Sequence, residues 1–172
     1  MTLQRDQQID VLTRELSHPD AQQLLTTQAL ARLAYTGSDG LPRVIPIGFH
    51  WDGEQIIVCT VPASPKVPAV QARHHVALTI DTDAGPASRA LSVRGVASVE
   101  IVDGVPDEYL AASTKGMDAE QARQFEAQVR NVHKKMARIS IRPLWARFYD
   151  FGAGRLPESL QKVVDDEPRA TR

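Results

Sequence analysis

The sequence has almost no net charge. Its 172 residues include 20 lysines and arginines against 21 aspartates and glutamates, which leaves a formal net charge of -1. Proteins that coat nucleic acid or adhere to an anionic membrane carry a large positive excess, because the partner is a polyanion. We therefore predict no nucleic-acid partner and no membrane partner.

Cysteine and long apolar runs are equally scarce. The single cysteine, Cys59, cannot form an internal disulfide, and residues 1–5 are too polar to begin a signal peptide. The sequence holds no apolar run near the roughly 20 residues that a membrane-spanning helix needs. These features predict a protein of the reducing cytoplasm.

Patterns that bind metals or build a catalytic triad are missing as well. The sequence has no Cys-x-x-Cys or His-x-x-x-His spacing, and the adjacent His74 and His75 would point to opposite faces of a strand. No Ser/His/Asp arrangement follows from the spacing, and Cys59 has no assignable base, so it is interpreted as a small buried hydrophobe. We predict no metal site and assign no catalytic side chain.

The composition, 42% hydrophobic and 24% charged, is typical of one globular domain. We expect this domain to span residues 1–157, with a charged, partly disordered tail over 158–172. Near the N-terminus, Ser17 or Asp20 is predicted to cap a short helix that carries Leu24 and Leu25 and acts as a lid.

Strand signals dominate the first half of the chain. Residues 29–36 and 44–51 read as a hairpin around a glycine-containing turn, and Asp52-Gly53 then predicts a tight turn into a strand over 55–60. A short helix reaching about Arg73 is followed by a strand over 76–80.

The second half adds longer elements. Residues 91–101 predict a long bent strand with a bulge or close approach at Gly95, and Asp118 with Gln121 resembles a capping box for a helix to about Lys135. Two last strands are expected on either side of Pro143, over 138–142 and 144–151. The sum predicts a mainly β fold with added helices, a small β-barrel.

Residues 59–66, which leave a strand and enter a helix, are the strongest candidate for chemistry. Ser64 is predicted to cap that helix with Pro65 at its first position, which leaves free backbone N–H groups. Lys66 in the first turn opposes the helix dipole, and a bound phosphate would compensate for it. The alternative is a solvated Lys66, because Val67 precedes Pro68 and the helix could begin only at Pro68.

Together these segments resemble the FMN-binding split barrels related to pyridoxamine 5′-phosphate oxidase. The resemblance covers about residues 28–151 and lies in the order and spacing of short motifs rather than in one decisive motif. These motifs are Gly40-Leu41-Pro42-Arg43, Pro46, Trp51-Asp52-Gly53, Thr60, Ser64, Lys66, residues 76–80, and Val93-Arg94-Gly95-Val96-Ala97.

The resemblance implies a cofactor and the residues that hold it. Thr60, Ser64 and Lys66 would contact the phosphate, and the ring would lie along residues 43–47, which include Arg43 and Pro46. Aromatic residues of the last strand, Trp145 or Tyr149, would approach from the other subunit. A homodimer is therefore expected, as is FMN or, alternatively, the deazaflavin coenzyme F420.

The chain departs from the oxidases at several positions. Pro65 stands where they carry an arginine, His74-His75 replaces an Asn-Pro, and Ala90 falls where they have a glutamine. These differences argue against pyridoxal phosphate synthesis, and the chain resembles the small F420-dependent reductases as closely. We expect an oxidoreductase that passes hydride between its cofactor and a small organic substrate. The alternative is a protein that binds or carries flavin, deazaflavin or haem without turnover.

Overall fold

The computed structural model describes the backbone of residues 2–166 and the side chains of residues 6–166. The strands are β1 (Leu30–Thr36), β2 (Pro42–Gly48), β3 (His50–Trp51), β4 (Ile56–Thr60), β5 (His75–Asp81), β6 (Arg89–Asp103) and β7 (Lys135–Asp150). The α-helices are α1 (Thr2–Ser17), α2 (Pro19–Thr27), α3 (Lys66–Ala72), α4 (Asp107–Ser113), α5 (Ala119–Val132) and α6 (Glu158–Asp166).

All seven strands form one antiparallel sheet in the order β2-β1-β5-β6-β7-β4-β3. The long strands β6 and β7 pair along their whole length, and the first half of β7 also pairs with β4. The inward side chains of this sheet form the main core together with side chains of α2. The mainly β fold with added helices is as predicted.

The two predicted turns between early strands are present, with one correction. β1 and β2 form the first hairpin, and Gly40 in its turn has the positive φ of 81°. The segment predicted as one strand over 44–51 is divided at the buried Phe49, because β2 pairs with β1 whereas β3 pairs with β4 at the opposite edge of the sheet. The Asp52-Gly53 turn then joins β3 to β4, and the Asp52 carboxylate accepts two backbone hydrogen bonds within it.

The predicted bulge at Gly95 is confirmed, and it explains an error about β7. The pairing of β6 with β7 shifts register between Arg94 and Gly95, and Gly95 lies opposite Pro143. A Cβ at Gly95 would lie 2.5 Å from the carbonyl oxygen of Arg142. Two strands were expected around Pro143, but β7 is continuous, since a proline is tolerated at a bulge where the ladder is already interrupted.

The N-terminal helices are part of the body of the protein. Neither Ser17 nor Asp20 caps α2; the cap is His18, whose ring nitrogen accepts a hydrogen bond from the Asp20 backbone. Leu24 and Leu25 are buried in the main core, so α2 is a core element and the prediction of a lid is wrong.

Between β6 and β7 the chain inserts α4 and α5. The predicted capping box is confirmed, with Asp118 accepting from the Gln121 backbone and the Gln121 side chain accepting from the Asp118 backbone. The helix ends at Val132 rather than near Lys135. A second, small core of Val105, Val129 and Met136 anchors this insert.

The segment expected to be a charged tail contains α6, a helix with none of its residues buried. Residues 167–172 of the predicted tail lie outside the described part of the chain. None of the described helices is both long and apolar enough to span a membrane.

Candidate functional site

A cleft of about 430 Å³ opens between β2 and the segment that follows β4. The insert between β6 and β7 contributes to the same cleft. The apolar side chains that line it are Leu30, Ile45, Pro46, Ile47, Val61 and Met136. The side chains with polar or sulfur atoms are Cys59, Thr60, Lys66, Tyr109 and His133.

Lys66 is held in this cleft by two hydroxyl groups. Its ammonium donates a hydrogen bond of 2.7 Å to Ser64 Oγ and a longer one of 3.4 Å to Thr60 Oγ1. Thr60 ends β4 and Lys66 begins α3, so the turn between these elements brings the three side chains together. Ser64 is itself buried and does not line the cleft.

The local backbone differs from both expectations for this turn. Ser64 does not cap the helix with its side chain; the cap position is Pro65, which makes no side-chain hydrogen bond. The helix also begins before Pro68, because Val67 is helical and its N–H donates to the Ser64 carbonyl. The Ser64 hydroxyl is therefore available to position Lys66.

The electrostatics of Lys66 favour an anionic ligand. Burial lowers the pKa of its ammonium, since the charged form loses hydration in the cleft. Among the side chains of residues 6–166, no carboxylate forms an ion pair with Lys66. Each hydroxyl that accepts from Lys66 can still donate its own hydrogen, so the cluster can bind an oxyanion.

Cys59 lies beside this cluster as a neutral thiol. Burial, with the Glu108 carboxylate as a smaller cause, raises the pKa of Cys59 to about 12. A thiol is a nucleophile only as the thiolate, so this side chain contributes apolar surface rather than reactivity. Cys59 was interpreted as a small buried hydrophobe, but it is half-buried and lines the cleft.

Two polar residues of the cleft were missed by the sequence reasoning. Tyr109 lies on α4, and His133 is the C-terminal cap residue of α5, with its ring edge-on to Tyr109 at 6.3 Å between centroids. The signal that could have found α4 is Pro106 followed by Asp107 and Glu108, a proline and two acids at a helix start. Because the sequence analysis did not identify α4, it gave no reason to place Tyr109 beside His133.

The remaining predicted site residues are divided between the cleft and other parts of the protomer. Pro46 lines the cleft, but Arg43 does not, and it is paired with Asp39 at the end of the first hairpin. Trp145 packs against Arg94, whose guanidinium carbon lies 4.1 Å from the ring centroid. Trp145 and Tyr149 alternate along β7 with buried residues, which places both on the outer face of the sheet.

Residues 6–166 contain no cluster of three or more histidine, cysteine or acidic side chains suited to a metal ion. His74 and His75 are neighbours, with ring centroids 5.0 Å apart. His75 begins β5, whereas His74 precedes the strand.

Residues 17–150 match the family model of pyridoxamine 5′-phosphate oxidase. The chain belongs to this family. The match spans the sheet, the cleft and Lys66, and it ends with β7. A search of curated proteins by sequence finds no match.

Several solved structures share the fold of this chain. A conserved hypothetical protein of Mycobacterium tuberculosis is 19% identical with a TM-score of 0.62, over 83% of this chain and 89% of that one. A protein described as an F420 reductase is 25% identical with a TM-score of 0.54, over 73% of this chain and 94% of that one. The haem storage protein of Vibrio cholerae is 15% identical with a TM-score of 0.52, over 73% and 89%. The predicted split β-barrel is thereby confirmed.

Proposed function

We propose that this protein is an oxidoreductase that binds a flavin or deazaflavin cofactor in the cleft, with the cofactor's phosphate on Lys66. The observation that carries the proposal is the Lys66 ammonium, which is partly desolvated, held by two hydroxyls and free of a carboxylate partner among the described side chains. Membership of the family supports it, and so does the likeness to a protein described as an F420 reductase.

In this proposal, side chains of the protein bind the cofactor and orient it. Lys66 and Thr60 hold the phosphate, and Ser64 fixes the direction of the ammonium. The backbone and apolar side chains of β2 around Pro46 exclude water from one side of the ring, and Arg43 lies at the start of this strand. When bound, a flavin or deazaflavin supplies hydride transfer from its own ring system, so a catalytic side chain is not required for that step.

The second subunit of a homodimer completes the site in this proposal. Trp145 and Tyr149 lie on the outer face of β7, where they are accessible to another copy. Val44, on the exposed face of β2, leaves 67% of its surface uncovered in the protomer. Sedimentation should therefore detect a dimer, and a stable monomer at micromolar concentration would contradict this part of the proposal.

The first experiment is a titration of the apoprotein with FMN and with F420, using tryptophan fluorescence. Lys66→Met should weaken binding of the preferred cofactor by about 1.5–3 kcal/mol, roughly 10- to 150-fold, since it removes a charge-assisted hydrogen bond to phosphate. The matched control is Lys162→Met, which removes the same charge from exposed α6. Equal affinities for the two variants would leave Lys66 as a solvated lysine and overturn the site.

A second experiment separates the oxidoreductase from a carrier. The protein loaded with its preferred cofactor is reduced without oxygen and then challenged with small organic acceptors. Oxidation of the cofactor by an acceptor, faster than for free cofactor, supports an enzyme. A cofactor that stays bound and reduced throughout supports a storage or carrier role on the same barrel.

A further inference from the structure

We propose that Lys115 is a clamp that keeps one end of the cleft closed, and that the cofactor enters and leaves when this clamp opens. The inference rests on the proposed function and adds a gate to it. The moving part is the far half of α4 (residues 110–113), which belongs to the insert between β6 and β7.

Lys115 attaches the end of α4 to the end of α2. Its ammonium donates a hydrogen bond of 2.9 Å to the carbonyl of Gln28 and a longer one of 3.5 Å to the carbonyl of Leu25. The same ammonium lies 4.0 Å from the centroid of the Phe49 ring. Carbonyls at the end of a helix lack partners within the helix and carry its negative partial charge, so they attract a cation. Lys115 is therefore held by two carbonyls and an aromatic face.

The surroundings of Lys115 are not those of a solvated surface lysine. Lys115 is half-buried, and burial lowers the pKa of its ammonium. None of the carboxylates on residues 6–166 forms an ion pair with it. Withdrawing an ammonium from water costs free energy, so the contacts with α2 and Phe49 offset that cost and hold the side chain in place.

The insert has one end that is fixed independently of Lys115. There the N–H of Gly104 donates to the carbonyl of Lys134 at 2.8 Å, which joins the two ends of the insert. Glu108, at the start of α4, pairs with Arg138 of β7 at 2.8 Å. Along a helix, Lys115 is about 10 Å from Glu108. The far half of α4 has no ion pair of its own among the described side chains, so its attachment to α2 depends on Lys115.

The far half of α4 closes one end of the cleft. Leu30 and Gly48 are paired across β1 and β2, and both line the cleft. Ala112 faces this pair, since a Cβ at Gly48 would lie 3.9 Å from the Cβ of Ala112. Lys115 binds Gln28, which precedes Leu30 by two residues. Release of Lys115 would let the far half of α4 move away from Leu30 and Gly48 and widen the cleft there.

A gate has a kinetic signature that a ligand contact lacks. If the cofactor passes only when the gate is open, association and dissociation both scale with the fraction of time that it is open. A variant that opens more often then speeds both steps equally and leaves the affinity unchanged. A residue that only stabilises the bound cofactor changes the dissociation rate and the affinity together.

The experiment is a stopped-flow measurement with FMN or F420, whichever the apoprotein binds more tightly. Lys115→Met should raise the association and dissociation rate constants about tenfold each, because it removes the cation and its hydrogen bonds. Lys115→Arg keeps the cation, so its rate constants should stay close to those of the wild type. The matched control is Lys135→Met, which removes the same charge from an exposed pair with Asp103 at the fixed end of the insert.

Hydrogen exchange of the apoprotein measures the motion directly. The backbone amides of residues 110–115 should exchange about tenfold faster in Lys115→Met than in Lys135→Met, and equal exchange would overturn the clamp. Unchanged rate constants in Lys115→Met, or faster dissociation alone, would overturn the gate and leave the proposed function standing. If neither cofactor binds the wild-type protein, the proposed function is overturned together with the inference.

Discussion

The ammonium of Lys66 donates a hydrogen bond of 2.7 Å to the hydroxyl of Ser64, two residues earlier in the chain. Ser64 is 8% exposed, so it orients the lysine from beneath rather than from the solvent side. A lysine side chain has several free rotations, and fixing its end before a ligand arrives lowers the entropy lost on binding. Ser64 is thus a positioning residue for the proposed phosphate site.

The depressed pKa of Lys66 predicts that cofactor affinity falls at alkaline pH earlier than an ordinary lysine would allow. A bound anion favours the protonated ammonium and raises the pKa, so affinity is constant below the pKa of the free protein. Above it, affinity falls by up to tenfold per pH unit until the pKa of the complex is reached.

Equilibrium titrations from pH 7 to pH 10 measure this fall. Lys66→Arg is the control, because a guanidinium stays protonated over that range. The affinity of this variant should change with pH only through titration of the cofactor itself. Identical profiles for the wild type and Lys66→Arg would show that the ammonium does not titrate with binding.

The raised pKa of Cys59 predicts an unreactive thiol. With the pKa at about 12, the thiolate at pH 8 is roughly one part in ten thousand, so alkylation should be about a thousandfold slower than for a free cysteine. Labelling with iodoacetamide, followed by mass spectrometry, measures the rate. The same protein in denaturant provides the reference, and comparable rates in the two states would contradict the half-buried, neutral thiol.

We predict that Gly95 cannot be replaced by alanine without a loss of stability. The added Cβ of Gly95→Ala would approach the Arg142 carbonyl oxygen at 2.5 Å and Ile141 at 3.0 Å, and backbone cannot rotate away as a side chain can. We expect a loss of unfolding free energy of about 2 kcal/mol or more, measured by urea denaturation. Gly48→Ala is the matched control, because its new Cβ would meet nothing closer than 3.9 Å. Equal stability of the two variants would argue against the close approach of β6 to β7.

Glu15 connects α1 to the last strand. Its carboxylate is 2% exposed and accepts from the Phe148 backbone N–H at 2.8 Å and from Arg155 at 2.7 Å. Glu15→Ala would leave the buried N–H of Phe148 without a partner and would remove the only carboxylate that pairs with Arg155 among the described side chains, although Arg155 still donates to the Phe148 carbonyl. This should cost about 2–3 kcal/mol of unfolding free energy.

The exposed ion pair between Glu120 and Arg123 on α5 provides the comparison for Glu15. Glu120→Ala removes a carboxylate that pairs with Arg123 at the surface, where water and salt screen the attraction, so the loss of stability should be much smaller than for Glu15→Ala. Chemical denaturation of both variants, with unchanged far-UV circular dichroism as the check on folding, compares the two losses. A Glu15→Ala variant as stable as Glu120→Ala would mean that α1 does not depend on this carboxylate.

The features that were predicted correctly are those that neighbouring residues determine. Asp118 and Gln121 form their capping box within one helical turn, and Gly95 interrupts an alternating strand in a way that is visible in the sequence. The Asp52-Gly53 turn is equally local, since a side chain and a positive φ at Gly53 are enough to reverse the chain. The contacts of Lys66 with Thr60 and Ser64 are also local, since all three residues lie in or beside the turn between β4 and α3, and their role as a phosphate site stays a prediction.

The errors concern contacts between distant segments. The strand over 44–51 divides because its two parts pair with different strands, β1 and β4. β7 continues through Pro143 because β6 places Gly95 opposite it. The sequence analysis did not identify α1, because the apolar pattern of this helix is weak. α1 is held against the sheet by Glu15, whose hydrogen-bond partners lie more than 130 residues later in the chain.

The amino-acid sequence by itself therefore determined the class of fold, the family and the lysine with its two hydroxyls, since local conformation and residue order carry that information. Tertiary structure alone decided which groups share the cleft: it added Tyr109 and His133 from the insert and left Arg43, Trp145 and Tyr149 outside the protomer's pocket. The physical reason is that a strand period or a cap depends on near neighbours, whereas the lining of a cleft depends on side chains that meet only after the sheet has closed.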